Sequence, residues 1–455
     1  MKASQKTKPK SYGREFLYPK KPAGKLYNYR KWVSYVLLGC LFSFPFLRLN
    51  DEQLVLLNFL ERKFVFFGLI FTPQDFYLFA LAMLIFIIFI VCFTVILGRL
   101  WCGWACPQTI FMELVFRRIE YWIEGDANQQ RKLDAQPWTI EKVIKKGSKH
   151  FLFLLISFAI ANTFLAYIIS SATLYRIITE PIAGHLTGFL SIWLFTFIFY
   201  GVFAYVREIV CTVICPYGRL QGVLLDNQSL IVAYNENRGE PRAHLQKNTV
   251  DLAKGDCIDC GLCVQVCPTG IDIRNGTQLE CVNCTACIDS CNEVMVKINR
   301  PSNLIGFHTN DFIKSQSPFK IGLKAYGYST VLLVLLIAFS SLIYKRQDVE
   351  TTVLRASGTL YQLNKDKTVS NLYNAELINK TNRDIKFSVR TNDSTDRIKF
   401  IQMPEILPKD GSTHLTFFLI KKQANLKSFK SNVVFEILSG GKVVSRTSTS
   451  FFSQP

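Results

Sequence analysis

The sequence predicts a multi-domain membrane protein: an α-helical membrane domain of about five spans, a small α+β module rich in cysteine, and a C-terminal all-β, immunoglobulin-like sandwich. Three observations carry this. Apolar runs long enough to cross a bilayer recur along the 455 residues. Eight of the fourteen cysteines lie between 257 and 291. From 345 onward there is no cysteine, and short alternating segments separated by turn residues take over.

The membrane domain comes first in the chain. The sequence is 49% hydrophobic with 37 Phe, yet its formal net charge is +19. A soluble domain seldom combines the two, whereas apolar spans with basic flanks do so naturally. The runs fall at 32–49, 76–97, 151–170, 186–206 and 326–344, with Pro45 and Arg48 near the end of the first. No small-residue cleavage site follows that run, so it is expected to be retained rather than removed as a signal peptide. The basic N-terminus 1–31 holds Lys2, Lys6, Lys8, Lys10, Arg14, Lys20, Lys21, Lys25, Arg30 and Lys31. The 98–150 connection holds Arg99, Arg117, Arg118, Arg131, Lys132, Lys142, Lys145, Lys146 and Lys149. By contrast 171–185 has only Arg176, and 50–75 only Arg62 and Lys63. The positive-inside rule then puts the N-terminus, 98–150 and 207–325 in the cytoplasm and 345–455 outside. Because the charge tracks the membrane and no recognition module is visible, nucleic acid is not an expected partner; membrane lipid is.

Within 32–240, the membrane domain with four of the spans, two motifs stand out: Cys102-Gly-Trp-Ala-Cys106-Pro107 and Cys211-Thr-Val-Ile-Cys215-Pro216. Each follows an even-numbered span, and they lie 109 residues apart, so they read as a repeated unit. Residues four apart on a helix share a face. Two thiols so placed suit a soft ion, and Cu(I) favours thiolate at low coordination. Each proline breaks the span at its cysteine and opens a following helix, expected over 107–123 as an amphipathic interfacial segment. Cys106 and Cys215 then sit at helix N-termini, where thiolate is favoured. The alternatives are helix-end cysteines that only pack, and disulfide exchange, whose usual spacing is C-x-x-C. Met112 offers a thioether nearby, or a packing residue. The histidines, at 150, 185, 244, 308 and 414, form no pair within a span, so a membrane haem is not expected.

The cysteine-rich module, 241–310, reads Cys257-x-x-Cys260-x-x-Cys263-x-x-x-Cys267-Pro268 and Cys281-x-x-Cys284-x-x-Cys287-x-x-x-Cys291-Asn292. This is the spacing by which two-cluster ferredoxins hold two [4Fe–4S] clusters, the fourth cysteine of each run crossing to the other cluster. It assigns Cys257, Cys260, Cys263 and Cys291 to one cluster, and Cys281, Cys284, Cys287 and Cys267 to the other. Zinc knuckles need one C-x-x-C per half-site and leave the third cysteine unexplained. A fifth span, 326–344, leads to the tail 345–455. About seven short strands there, including 385–391, 398–402, 414–420, 430–438 and 443–452, predict an immunoglobulin-like sandwich lacking a disulfide, with a docking or structural role.

With these residues in hand, the chain resembles the CcoG/FixG (RdxA) family of cytochrome c oxidase accessory proteins over nearly its whole length. The likeness runs through Thr72-Pro-Gln-Asp75-Phe-Tyr77, Trp101–Thr109, Cys211–Gln221, Gly255–Cys260 and Cys267–Arg274. It implies a cupric reductase of the bacterial inner membrane that supplies Cu(I) for assembling cbb3-type oxidase, with the tail periplasmic. It also implies that Cys102, Cys106, Cys211 and Cys215 are the copper-binding thiols, copper being substrate or bound ion. The partners expected are an unidentified cytoplasmic electron donor, a copper-transporting P-type ATPase or copper chaperone, and oxidase assembly factors. Two other classes stay open: a quinol-linked electron-transfer subunit of the nitrate- or nitrous-oxide-reductase type, and a non-enzymatic redox-sensing scaffold.

Overall fold

The computed structural model describes residues 16–49, 52–60, 63–71, 75–244, 255–356, 358, 360–364, 366–393, 395–409, 411–426 and 428–453. Lys2 to Arg14, Arg62 and the Thr72-Pro73-Gln74 part of the family motif lie outside them. The chain forms two compact units. One comprises the described residues up to Phe42 with Leu84–Phe164 and Ile177–Val334; the other comprises Ser43–Met83, Leu165–Arg176 and the chain from Leu335 onward.

Among the described residues four helices are long and apolar enough to span a bilayer: Phe76–Leu97, Ile140–Ile169, Leu186–Val206 and Leu323–Tyr344. The expected run at 32–49 is not one of them. It is part of the helix Lys25–Ser43, whose first third is polar and basic. Phe44 precedes Pro45 and is steered away from helical geometry, which ends the helix early. The 12 apolar residues left rise about 18 Å, against a hydrocarbon core of about 30 Å. The run expected from 151 begins instead at Ile140, because its basic lead-in Lys142–Lys149 continues the same helix.

Phe76–Leu97 carries no charged residue and satisfies its own backbone, as lipid requires. It ends at Gly98, whose φ of +56° is the left-handed geometry that glycine adopts without strain. The corresponding position after Leu186–Val206 is Arg207, 109 residues on and also at positive φ, +54°. So both halves turn out of their span four residues before the first cysteine.

The cysteine-rich module is framed by the antiparallel strands Ile231–Tyr234 and Ile305–His308, so its framework begins ten residues before 241. Its helix Ala286–Lys297 lies beside the start of Lys25–Ser43. The Asp289 carboxylate accepts the backbone N–H groups of Leu26 (3.2 Å) and Tyr27 (2.8 Å), satisfying orphan donors of that helix.

The tail is a two-sheet sandwich. Arg397–Gln402, Ser412–Lys422, Thr368–Asn379 and Val349–Arg355 form one sheet in that order, and Ser388–Thr391, Lys430–Ser439 and Lys442–Phe452 the other. Val369, Tyr373, Phe417, Phe435 and Phe451 fill the space between them. The Tyr373 hydroxyl donates to the Ser450 carbonyl at 2.9 Å. In the same unit Asp75 pairs with Arg346 and Lys380, each at 2.7 Å.

Candidate functional site

The two ferredoxin-type runs fold alike. In each, the residues flanking the middle cysteine are left-handed: Asp259 (φ +52°) and Gly261 (+70°) around Cys260, Asn283 (+51°) and Thr285 (+66°) around Cys284. Left-handed residues in such loops turn successive backbone N–H groups inward, an arrangement suited to the sulfurs of an anionic cluster. Cys257, Cys260, Cys263 and Cys291 line one pocket of about 370 Å³. Cys267, Cys281, Cys284 and Cys287 line a second of about 350 Å³, which Cys263 also borders, so the two adjoin. These are the two quartets read from the spacing.

The donor set fits iron–sulfur clusters. Each pocket offers its four thiols in a mostly apolar wall, including Val294, Met295 and Leu304 in one, beside Arg274, and Val232, Ile271 and Ile273 in the other, beside Thr269 and Thr285. Among the described residues no three His, Cys, Asp or Glu side chains gather closely enough to hold a single ion. The pockets differ in exposure: Cys260 of the first is exposed, while Cys284 of the second is buried.

The two C-x-x-x-C-P motifs meet. Their backbones close in the same way, Cys106 N–H donating to Trp101 O at 2.9 Å and Cys215 N–H to Val210 O at 2.8 Å. These are i→i−5 bonds, wider than the α-helical turn the spacing predicted. Cys106 and Cys215 are extended and cap the helices that begin with Pro107 and Pro216. Each of those helices reaches across to the other motif. Thr109 Oγ1 lies 3.9 Å from Cys211 Sγ, and the Cys102 thiol donates to Gln221 Oε1 at 3.4 Å. Burial pushes the Cys102 thiol up to about 11 and that of Cys211 to about 12.

The expected helix over 107–123 forms, with a π-helical stretch at Phe111–Phe116, but it does not lie free along an interface. Ile110, Phe111, Met112, Leu114 and Phe116 are buried. Met112 packs with Phe111, Phe153 and Phe203, so it is a packing residue. Arg117 is fully buried between Glu113 and Glu208 (3.3 Å) and donates to Pro268 O at 3.2 Å. Arg207 forks onto Glu120 at 2.7 and 2.9 Å. Several charges read as membrane flanks, namely Arg30, Arg99, Arg117, Lys142 and Lys149, are therefore interior.

The four-thiol group packs against the second pocket. Cys102 and Cys211 join Val266, Val282, Cys284, Ala286 and Cys287 in one apolar cluster. Gly103 makes this approach possible: a Cβ there would sit 2.5 Å from Val282 O and 2.8 Å from Asn283 O, both backbone atoms. Gln221, Thr109 and Gly103 escaped the sequence reading as site residues. They stand inside the motifs that carry the family likeness, and only the tertiary contact reveals what they touch.

Comparison with known proteins adds three domain matches. Residues 206–310 match the 4Fe-4S dicluster domain, 79–125 a 4Fe-4S binding domain that includes the first C-x-x-x-C-P motif, and 339–454 the IG-like fold at the C-terminus of FixG. "Protein RdxB" of Cereibacter sphaeroides is 34% identical over 83% of this chain and 82% of its own length. "Protein RdxA" of the same organism is 32% identical with the same coverage. "Nitrogen fixation protein FixG" of Rhizobium meliloti is 38% identical over 65% of this chain, a match that spans 57% of FixG's own length.

Proposed function

The chain belongs to the FixG/RdxA family of iron–sulfur proteins, and from that premise we propose that it is a membrane-bound cupric reductase, converting Cu(II) to Cu(I) at the thiols of Cys102, Cys106, Cys211 and Cys215, of which two at a time suffice for Cu(I). The observation that carries the reading is the packing of Cys102 and Cys211 against the apolar cluster of Val266, Val282, Cys284 and Ala286, which Cys287 also borders. A [4Fe–4S] cluster supplies and accepts one electron at a time, which matches the one-electron change from Cu(II) to Cu(I). The protein's own residues do the rest. Cys257, Cys260, Cys263 and Cys291 would hold the outer cluster, where exposed Cys260 gives a soluble donor access. Cys267, Cys281, Cys284 and Cys287 would hold the inner one. Thiolate ligation favours the cuprous product and retains it until a partner takes it.

In this reading the N-terminus and cluster module face the cytoplasm and the sandwich the periplasm of a bacterial inner membrane. The Cu(I) passes to a P-type copper ATPase or a chaperone for assembly of a cbb3-type oxidase. A second reading, an electron-transfer subunit that passes electrons onward without copper, is favoured by the iron–sulfur match at 79–125. The test is anaerobic and stoichiometric. Clusters are reduced with dithionite, excess reductant is removed, Cu(II) is added and Cu(I) is trapped with a chromogenic chelator. One Cu(I) per cluster electron supports the reductase; cluster electrons that stay put until a quinone is added support the second reading.

A further inference from the structure

The cations around the two cluster pockets are arranged unequally. Beside the first pocket each is paired with a carboxylate: Arg274 with Asp272 (2.8 Å) and Asp259, Arg238 with Asp256 (2.5 Å), and Arg300 with Asp256 (3.3 Å). Beside the second lie Arg117, which is paired with Glu113 and Glu208, and also Arg30 and Arg99, only 1% and 4% exposed, neither of which has a carboxylate partner among the described residues. Arg30 donates through Nε to Gly103 O at 2.7 Å, and its Nη2 is buried with no acceptor. Arg99 donates to the carbonyls of Leu279, Gly218 and, at 3.4 Å, Cys281. Arg99 thus binds the ligand loop itself at Cys281, and Arg30 binds Gly103, which packs against Val282 and Asn283 of the same loop.

A buried guanidinium without a counter-ion is expensive, and a protein keeps one where an anion compensates it. A cluster bound by four thiolates is such an anion, and it gains one further negative charge on reduction. Unpaired cations at that position favour the reduced form, since net charge is one of the levers on cluster potential. Burial of the second pocket works in the opposite direction, because desolvation disfavours the more highly charged form. Arg30 and Arg99, two full charges withdrawn from solvent beside that pocket, are placed to offset it.

We infer that Arg30 and Arg99 raise the reduction potential of the cluster held by Cys267, Cys281, Cys284 and Cys287 above that of its neighbour, so that an electron entering at Cys260 comes to rest beside Cys102 and Cys211. This rests on the two-cluster assignment and not on copper as the acceptor.

The test is an EPR-monitored redox titration of the full-length, cluster-loaded protein in detergent. Cys260→Ser and Cys284→Ser, each perturbing one couple, assign the two signals. The wild type should show the Cys284-linked couple at the higher potential. Arg30→Gln and Arg99→Gln should each lower that couple by about a tenfold change in the reduced-to-oxidised ratio, equivalent to 59 mV for one electron, while the other couple moves much less. Arg30→Lys and Arg99→Lys, keeping the charge but not the fork, should retain most of the potential. A wild-type Cys284-linked couple at or below the other overturns the inference without any arginine variant. So do equal shifts of both couples, or Lys variants that fall as far as Gln.

Discussion

The Cys102 thiol donates to Gln221 Oε1 at 3.4 Å, although 119 residues separate them. Gln221 stands on the helix that follows the second cysteine pair, as Thr109 stands on the helix that follows the first and faces Cys211. Each half of the repeat thus reaches into the other's motif. A short bifunctional thiol reagent should therefore join a peptide containing Cys102 or Cys106 to one containing Cys211 or Cys215, read by mass spectrometry. Once copper displaces the thiol proton, the amide can turn its otherwise unpartnered Nε2–H toward the thiolate, so Gln221→Ala should weaken Cu(I) retention against a competing chelator by up to about tenfold, the equivalent of one hydrogen bond.

Gly103→Ala should push the first motif away from the cluster loop, because the added methyl meets backbone oxygens rather than a movable side chain. Overpacking of this kind costs about 1–3 kcal/mol. The expected outcome is a lower thermal midpoint with iron retained in the Cys260-linked cluster and depleted in the Cys284-linked one.

Cys260→Ser and Cys284→Ser should each remove about half of the bound iron, measured by colorimetric iron assay. Their copper chemistry should differ. Dithionite is small enough to bypass the outer cluster, so Cys260→Ser keeps Cu(I) production under that reductant while Cys284→Ser loses it. Equal loss in both would argue against the serial order.

Asp75 gives a pH prediction in the unit that contains the sandwich. Burial opposes its ionisation, but hydrogen bonds from Lys380 and Arg346 outweigh it and hold its carboxyl below the usual range. With the folded value depressed, its stabilisation is present above the unfolded value of about 3.9 and disappears as pH falls through the folded value. Asp75→Asn leaves Arg346 and Lys380 facing each other without their shared carboxylate, at a cost of about 3–5 kcal/mol. Chemical denaturation should show that loss at pH 7 and a smaller one at pH 3.

The cysteine spacing was enough to sort eight cysteines into the quartets that line two adjoining pockets, because a local loop geometry fixes which three thiols converge and the crossing fourth follows from chain reach. The sandwich was legible for the same local reason: Ser439-Gly440-Gly441-Lys442 makes a hairpin turn, with both glycines at positive φ. What was illegible depends on packing between distant segments. Nothing in the spacing indicates that Cys102 and Cys211 share a cluster with Cys284 and not with Cys260. Arg30 and Arg99 counted as membrane-flanking charge, since a run of basic residues does not reveal which of them turns inward. The run at 32–49 looked like a span because hydropathy ignores where Pro45 stops a helix.

The most direct test of the four-thiol site is the rate at which Cu(II) reoxidises the pre-reduced clusters, followed by stopped-flow absorbance in the full-length protein. Cys102→Ala and Cys211→Ala should slow reoxidation by at least tenfold and lower the Cu(I) yield together, while Cys40→Ala, away from the site, leaves both unchanged. Reoxidation that proceeds at the wild-type rate in Cys102→Ala and Cys211→Ala would contradict the account.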